Sequence, residues 1–177
     1  MRTRKRENND LYRTPIDAVL LIKDRFDFSN SWEPCAGDGR ISKTLNVKKA
    51  TDINPLADGI DYLDFFKATK QDAVGIDLIV TNPPFSKIKE FIKHSLSLDL
   101  PCLVLIPEEK IAGNKSKYWQ DHVHWRGTVS NLIKFDTIDG RIVNGNGTMR
   151  CAWFLFKPEK SGGKFISEYM HFLKNTY

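Results

Sequence analysis

Cysteine is scarce in this 177-residue chain: Cys35, Cys102 and Cys151 are scattered and odd in number. That excludes a disulfide framework and fits a reducing compartment, so a cytoplasmic location is expected. No CxxC or HxxxH pair is present. His122 and His124 stand two apart, a spacing that would point them in different directions on a helix, and no metal site is expected. Long apolar runs are missing as well. Residues 101–107 form one of the longest, which has strand length and is far too short to span a bilayer, so no membrane is expected. The charged stretch 1–10 has no long apolar segment behind it, which argues against a signal peptide. There is no internal repeat and no low-complexity tract. A GxGxxG loop is also absent, which counts against a dehydrogenase.

What is present is enough for one domain over residues 1–177. A 41% hydrophobic share can build a core. Residues 1–11 read as a flexible basic arm, with Arg2, Arg4, Lys5 and Arg6 in it, and the net charge is +5. Such an arm suits a polyanionic partner through counterion release, although a solvated terminus has the same composition. Strands are expected at 31–35, 50–53, 76–81, 102–106, 132–135 and 151–156, with a weaker one near 60–63. Most are apolar throughout, as in a parallel sheet covered on both faces. Thr14-Pro15-Ile16-Asp17 reads as a capping box that starts a helix running to about Arg25. Further helices are expected after Gly39, around Ile88, Phe91, Ile92 and Leu96, and over 165–173, where Ile166, Tyr169, Met170 and Leu173 share a helical face. The alternation gives an α/β, doubly wound, mostly parallel sheet.

Four segments carry candidate chemistry. Trp32-Glu33-Pro34-Cys35-Ala36-Gly37-Asp38-Gly39 joins a strand to a helix, and its glycines let the backbone approach a ligand. An ordinary turn could hold the same residues. Thr51-Asp52-Ile53 puts an acid at the end of the next strand, 15 residues after Gly37. An acid there can accept both ribose hydroxyls of a nucleoside cofactor, and the missing pyrophosphate signature favours a nucleoside without phosphates. Asp64-Phe65 offers a carboxylate and a ring for an adenine amino group and base, with Asp61 as a rival. The sharpest segment is Asn82-Pro83-Pro84-Phe85 after a buried strand. Two prolines stiffen the turn, the Asn82 amide oxygen and the Pro83 carbonyl can accept hydrogen bonds, and Phe85 supplies a flat face. Two acceptors and a ring suit a planar aromatic amine.

In this order and spacing, Glu33–Gly39, Asp52, Asp64-Phe65 and Asn82–Phe85 resemble the class I S-adenosylmethionine-dependent amino methyltransferases. The (D/N)PP(Y/F) signature of that family marks members acting on nitrogens conjugated to a π system: adenine N6, cytosine N4, guanine N2 and glutamine amides. Tyr12-Arg13-Thr14-Pro15 resembles the segment before the first helix in N6-adenine DNA methyltransferases. The resemblance spans residues 12–107. It implies a Rossmann-like, seven-stranded sheet and S-adenosyl-L-methionine as cofactor. It further implies that Tyr12, Thr14, Pro15, Glu33, Pro34, Cys35, Gly37 and Gly39 surround the methionine part. Asp52 would take the ribose, with Ile53 also at the cofactor, Asp64 and Phe65 would take the adenine, and Asn82, Pro83, Pro84 and Phe85 would face the target, with Asn82 touching the cofactor as well.

Phe85 replaces the commoner tyrosine, and phenylalanine is frequent in RNA-directed members. The length leaves no room for a separate target-recognition domain, so a partner subunit or a long loop is expected to supply site selection. The expected substrate-facing stretch is 108–131, where Lys110, Lys115, Lys117, Trp119 and Arg126 interleave cations with aromatics as nucleic-acid surfaces do. A helix with core aromatics would read the same way. Nucleic acid, first of all DNA, is the expected partner. An RNA methyltransferase, a protein-glutamine methyltransferase and a non-catalytic regulatory subunit are the rival readings.

Overall fold

The computed structural model describes residues 12–111, 117–129, 133–136, 148–162 and 164–171. In chain order the elements are α1 (Ile16–Lys23), β1 (Ser31–Glu33), α2 (Arg40–Leu45), β2 (Lys49–Asp52), β3 (Asp61–Tyr62), β4 (Leu78–Thr81) and α3 (Ile88–Ser97). They continue with β5 (Cys102–Pro107), α4 (Lys117–His122), β6 (Val123–Val129), β7 (Ile133–Lys134), β8 (Thr148–Met149), β9 (Cys151–Phe156) and β10 (Ile166–Met170). Eight strands form one sheet in the order β10-β6-β9-β5-β4-β1-β2-β3. Only β9 runs antiparallel to its neighbours, β5 and β6; every other pairing in this sheet is parallel.

The central strands β4, β5 and β9 are buried throughout because both faces are covered there. Along β5, Leu103 and Leu105 join one core cluster, with Val19, Ile22 and Trp153. Cys102, Val104 and Ile106 join the other, with Phe91, Ile92 and Phe156. This period-two division of an unbroken apolar run is what a doubly covered strand requires. The indole of Trp153 donates to the Ala18 carbonyl at 2.9 Å and ties α1 to the sheet. The chain leaves β1 for β2 and β3 on one side and returns to β4 on the other. The carboxyl ends of β1 and β4 therefore flank a switch point, where open α/β sheets bind ligands.

Four expectations are corrected. The sheet has eight strands rather than seven: 166–170 is a strand and not part of a helix, 123–129 is a further strand, and 133–134 lies outside the sheet. β6 would otherwise expose a row of unpaired backbone groups, and β10 pairs along it from Ile166–Trp125 to Met170–Val129. In a strand Tyr169 and Met170 point to opposite faces. Met170 is buried and Tyr169 is exposed, whereas the helical pattern had put them together. Leu173 lies outside the described residues. Second, the stretch expected to face substrate contains β6, whose Val-His-Trp-Arg-Gly-Thr-Val alternates buried and half-buried. Third, Ile133–Lys134 pairs with Thr148–Met149 in a separate two-stranded ribbon rather than entering the sheet. Fourth, α1 starts at Ile16 with Pro15 as its cap and no side-chain cap bond, so Thr14 does not close a capping box. No helix among the described residues is long and apolar enough to cross a membrane.

Candidate active site

The loop after β1 is held open by two glycines in the left-handed region, Gly37 at φ 54° and Gly39 at φ 81°. Gly39 is doubly constrained, since a Cβ there would lie 3.1 Å from Lys43 Cε. Glu33, at the end of β1, is 1% exposed and accepts from the Ser42 amide in α2 at 2.6 Å. Burial pushes its carboxyl well above the usual range. The Ser42 hydrogen bonds oppose the rise, while Asp52 and Asp38 add to it. Among the described residues no cation pairs with Glu33. A buried carboxyl in this condition fits a cationic ligand. Cys35 lies half-buried beside it, and burial together with Asp52 and Glu33 drives its thiol up. Pro34 is buried.

Asp52 ends β2 and joins the two loops: it accepts from the Gly37 amide at 2.8 Å and the Asn54 amide at 2.7 Å. An ionised carboxylate has about four acceptor sites, so about two remain for a ligand. Ile53 beside it is 59% exposed, an apolar side chain standing free at the mouth of the site. Asp64 accepts from the Phe66 amide at 3.1 Å and caps a 3-10 turn, Phe65–Lys67. The Phe65 ring is core. It packs against Trp32 at 5.4 Å and Phe91 at 4.5 Å between centroids, so a cofactor would meet the backbone of Phe65 and not its face. Asp61 is exposed on β3. Between the Asp64 turn and the turn at Phe85–Lys87, a cleft of about 350 Å³ is lined by Phe66, Ser86, Lys87 and Glu90.

Asn82 follows β4. Its Nδ2 donates to the Tyr12 carbonyl at 3.2 Å, and its Oδ1 is buried with no hydrogen-bond partner among the described residues. A buried acceptor in this state costs free energy unless a ligand satisfies it. Pro83 is buried, and Pro84 leads into the turn that carries Phe85. The Phe85 ring stacks on Tyr12 at 5.5 Å and 25°, and meets Phe135 edge-on at 5.9 Å. Thr14 is buried and Pro15 half-buried in the same N-terminal strap. Sequence reasoning missed Phe135, which sits 50 residues beyond Phe85 with no motif around it. It also missed an ion-pair cluster of Arg13, Asp38, Arg40 and Asp136. Arg13 and Asp38 lie inside segments that looked functional, but nothing in the sequence paired them with Asp136.

The expected substrate-facing residues are dispersed. Lys110 is exposed in the turn Glu108–Lys110 at the carboxyl end of β5. Lys115 lies outside the described residues, and Lys117 opens α4. Trp119 is 5% exposed and packs edge-on against Phe156 at 6.1 Å, so its ring is core rather than an open stacking face. Arg126 pairs with Glu108 at 2.6 Å and stands over the Phe154 ring. Lys87, Lys134 and Arg150 are exposed cations; Lys87 lies in the turn that follows Asn82-Pro83-Pro84, and Arg150 precedes β9 beside the carboxyl end of β5. Among the described residues no group of three His, Cys, Asp or Glu could hold a metal ion.

This α/β architecture is shared with solved structures that include methyltransferases. Its likeness is to solved structures, each at low identity. PH1948 from Pyrococcus horikoshii, a proposed RNA methyltransferase, is 14% identical with a TM-score of 0.60, covering 90% of this chain and 94% of that one. The M protein of the type I restriction enzyme EcoKI (EC 2.1.1.72) is 12% identical with a TM-score of 0.55, covering 92% of this chain and 49% of that one. DrdV, in complex with DNA, is 10% identical with a TM-score of 0.54, covering 90% of this chain and 27% of that one. No protein-family model matches the chain, and no curated protein matches it with significance.

Proposed function

We propose that this protein is an S-adenosylmethionine-dependent amino methyltransferase of nucleic acid, with adenine N6 in DNA as its target. The observation that carries this reading is the Asn82 amide. Its buried Oδ1 lacks a donor, it lies at the carboxyl end of a central strand, and the Phe85 ring is three residues on. The neighbouring β1 loop fits the cofactor. Glu33 has no cation partner among the described residues, Asp52 has acceptor capacity left, and Ile53 is free to cover a flat base.

When bound, S-adenosylmethionine supplies a methyl already activated on a positive sulfur. Glu33 balances positive charge at the methionine end, within the shell formed by Pro34, Cys35, Gly37, Gly39 and the Tyr12–Pro15 strap. Asp52 accepts from the ribose hydroxyls, and Asp64 from the adenine amino group. At the target, the Asn82 Oδ1 and the Pro83 carbonyl accept the two hydrogens of the exocyclic nitrogen. An aromatic amine is a poor nucleophile because its lone pair is delocalised. These two acceptors draw the nitrogen toward tetrahedral geometry and stabilise the charge that grows on it. Phe85 stacks on the base and fixes its approach. No general base is needed, since the proton leaves to solvent. In duplex DNA the base must first be flipped out of the stack. A partner subunit or a long site-reading loop would supply sequence selection.

RNA is the second reading. It is favoured by phenylalanine at position 85 and by the near-complete overlap with PH1948. The deciding test is transfer of label from methyl-labelled S-adenosylmethionine to unmethylated DNA, matched RNA and protein extract, followed by nucleoside digestion. Label recovered as N6-methyladenine in DNA and lost in Asn82→Ala supports the lead reading. Label in RNA moves the substrate and keeps the site. Label in neither nucleic acid, with the cofactor bound, overturns the reading for the protein alone.

A further inference from the structure

The cluster of Arg13, Asp38, Arg40 and Asp136 joins three segments that are far apart in sequence and adjacent at the site. Asp136 takes the Arg40 guanidinium with both oxygens, at 2.8 and 2.9 Å. Arg40 also reaches Asp38 at 3.3 Å and the Thr14 carbonyl at 3.5 Å. Arg13 donates to Asp38 at 2.6 Å and to Asp136 at 3.4 Å through its side chain. Its backbone amide bonds the Asp136 carbonyl at 2.9 Å. All four side chains are only about a quarter exposed, between 23 and 28%. Forked arginine–carboxylate pairs of this kind fix orientation as well as distance.

Each partner has a neighbour in the site. Asp38 and Arg40 flank Gly39 of the cofactor loop. Arg13 follows Tyr12, whose ring lies on Phe85 and whose carbonyl holds the Asn82 amide. Asp136 follows Phe135, which meets both of those rings at 5.9 Å. We infer that the quartet is a set of positioning residues that couples the two half-sites, so that filling the cofactor loop organises the Tyr12–Phe85–Phe135 pocket for the target base. In the structure that pocket is closed: Tyr12 covers one face of Phe85, and Asn82 Oδ1 has no accessible surface. A target base must therefore displace Tyr12, and the strap that carries Tyr12 is anchored to the cofactor loop through Arg13–Asp38 and Arg40–Asp136. This inference rests on the methyltransferase reading.

Coupling between sites is a measurable ratio of affinities and is reciprocal. The test measures affinity for a fluorescein-labelled DNA duplex, and for a matched RNA, with and without saturating sinefungin, a cationic cofactor analogue that transfers no methyl. The proteins compared are wild type, Asp136→Asn, Arg40→Lys, and Asp99→Asn as a control. The control breaks the Lys70–Asp99 pair at the opposite edge of the sheet. Arg40→Lys keeps the charge and removes the fork. Wild type and control are expected to bind nucleic acid about 10-fold more tightly with the analogue, within the usual range of coupling. In both quartet variants the ratio should fall toward one, while each ligand alone binds within about threefold of wild type. Full coupling in both variants would reduce the cluster to a structural one and overturn the inference, as would a wild type that methylates nucleic acid without any coupling. A wild type that binds no sinefungin removes the methyltransferase reading, and the inference with it.

Discussion

The two halves of the candidate site, proposed for cofactor and for target, are built in different ways. The first runs from Glu33 to Asp64 and is held by short-range bonds between carboxylates and backbone amides: Glu33 to Ser42, Asp52 to Gly37 and Asn54, Asp64 to Phe66. The second is assembled by rings and ion pairs that span up to 123 positions, with Tyr12, Phe85 and Phe135 meeting only in the folded chain. A carboxylate that takes amides from the next loop needs little more than the correct turn. A pocket made from three distant rings depends on the whole sheet and on the contacts anchoring its strap. The first half should therefore tolerate distant changes, and the second should not.

The largest effect that separates the halves is expected from Asn82→Ala. Methyl transfer should fall about 10²- to 10³-fold, as when one preorganised transition-state hydrogen bond is removed, while calorimetry finds cofactor affinity near wild type. An equal loss of cofactor binding would place Asn82 in the first half instead. Phe85 comes next. Phe85→Ala should lose about 1–3 kcal/mol of base stacking, read as a raised KM for nucleic acid, and Phe85→Tyr should restore most of it.

Glu33 tests the first half by pH. Burial holds its carboxyl above the value it has in the unfolded chain. The folded state thus keeps a proton that the unfolded state has released. Stability should fall as pH rises from the ordinary glutamate value through the raised one, and level off above it. Glu33→Gln should abolish that slope in melting experiments. Affinity for the cationic cofactor should rise over the same window, because the ionised carboxyl is the form that balances its charge. The glutamine variant should bind weakly at every pH. A pH-independent affinity in wild type would remove Glu33 from the site. The smallest effects belong to the rim. Lys134→Ala and Arg150→Ala should each weaken nucleic-acid binding uniformly across sequences and lower the salt slope by about 1, and a slope that does not move would clear them of phosphate contact.

The asymmetry between the halves explains what could be read in advance. The placement of Glu33, Gly37, Gly39, Asp52 and Asn82 where strands meet turns was legible, because such junctions have residue-type signatures of their own. β5 and β9 were legible from unbroken apolar runs bounded by turns. β10 was not. Its Ile166, Tyr169 and Met170 satisfy a helical period as well as a strand, and the choice was made by the open edge of β6. β6 lies inside the stretch 108–131, whose interleaved cations and aromatics read as a nucleic-acid surface, because a residue such as Arg126 looks the same on a wet surface and in a half-buried strand. Trp119 became core for a reason that lies outside its own segment: the Phe156 ring of β9 is there to receive it.

By itself the sequence determined the class of fold, the two loops at the switch point and the residue types within them, because strand period, glycine conformation and proline stiffness are local properties. The tertiary structure decided which partners those residues meet. Only in the folded chain does Glu33 become a buried carboxyl with no cation, and Asn82 a buried acceptor with no donor, among the described residues, and Asp136 the anchor of Arg13 and Arg40. Burial and pairing depend on elements that arrive from elsewhere in the chain, and no local pattern encodes them.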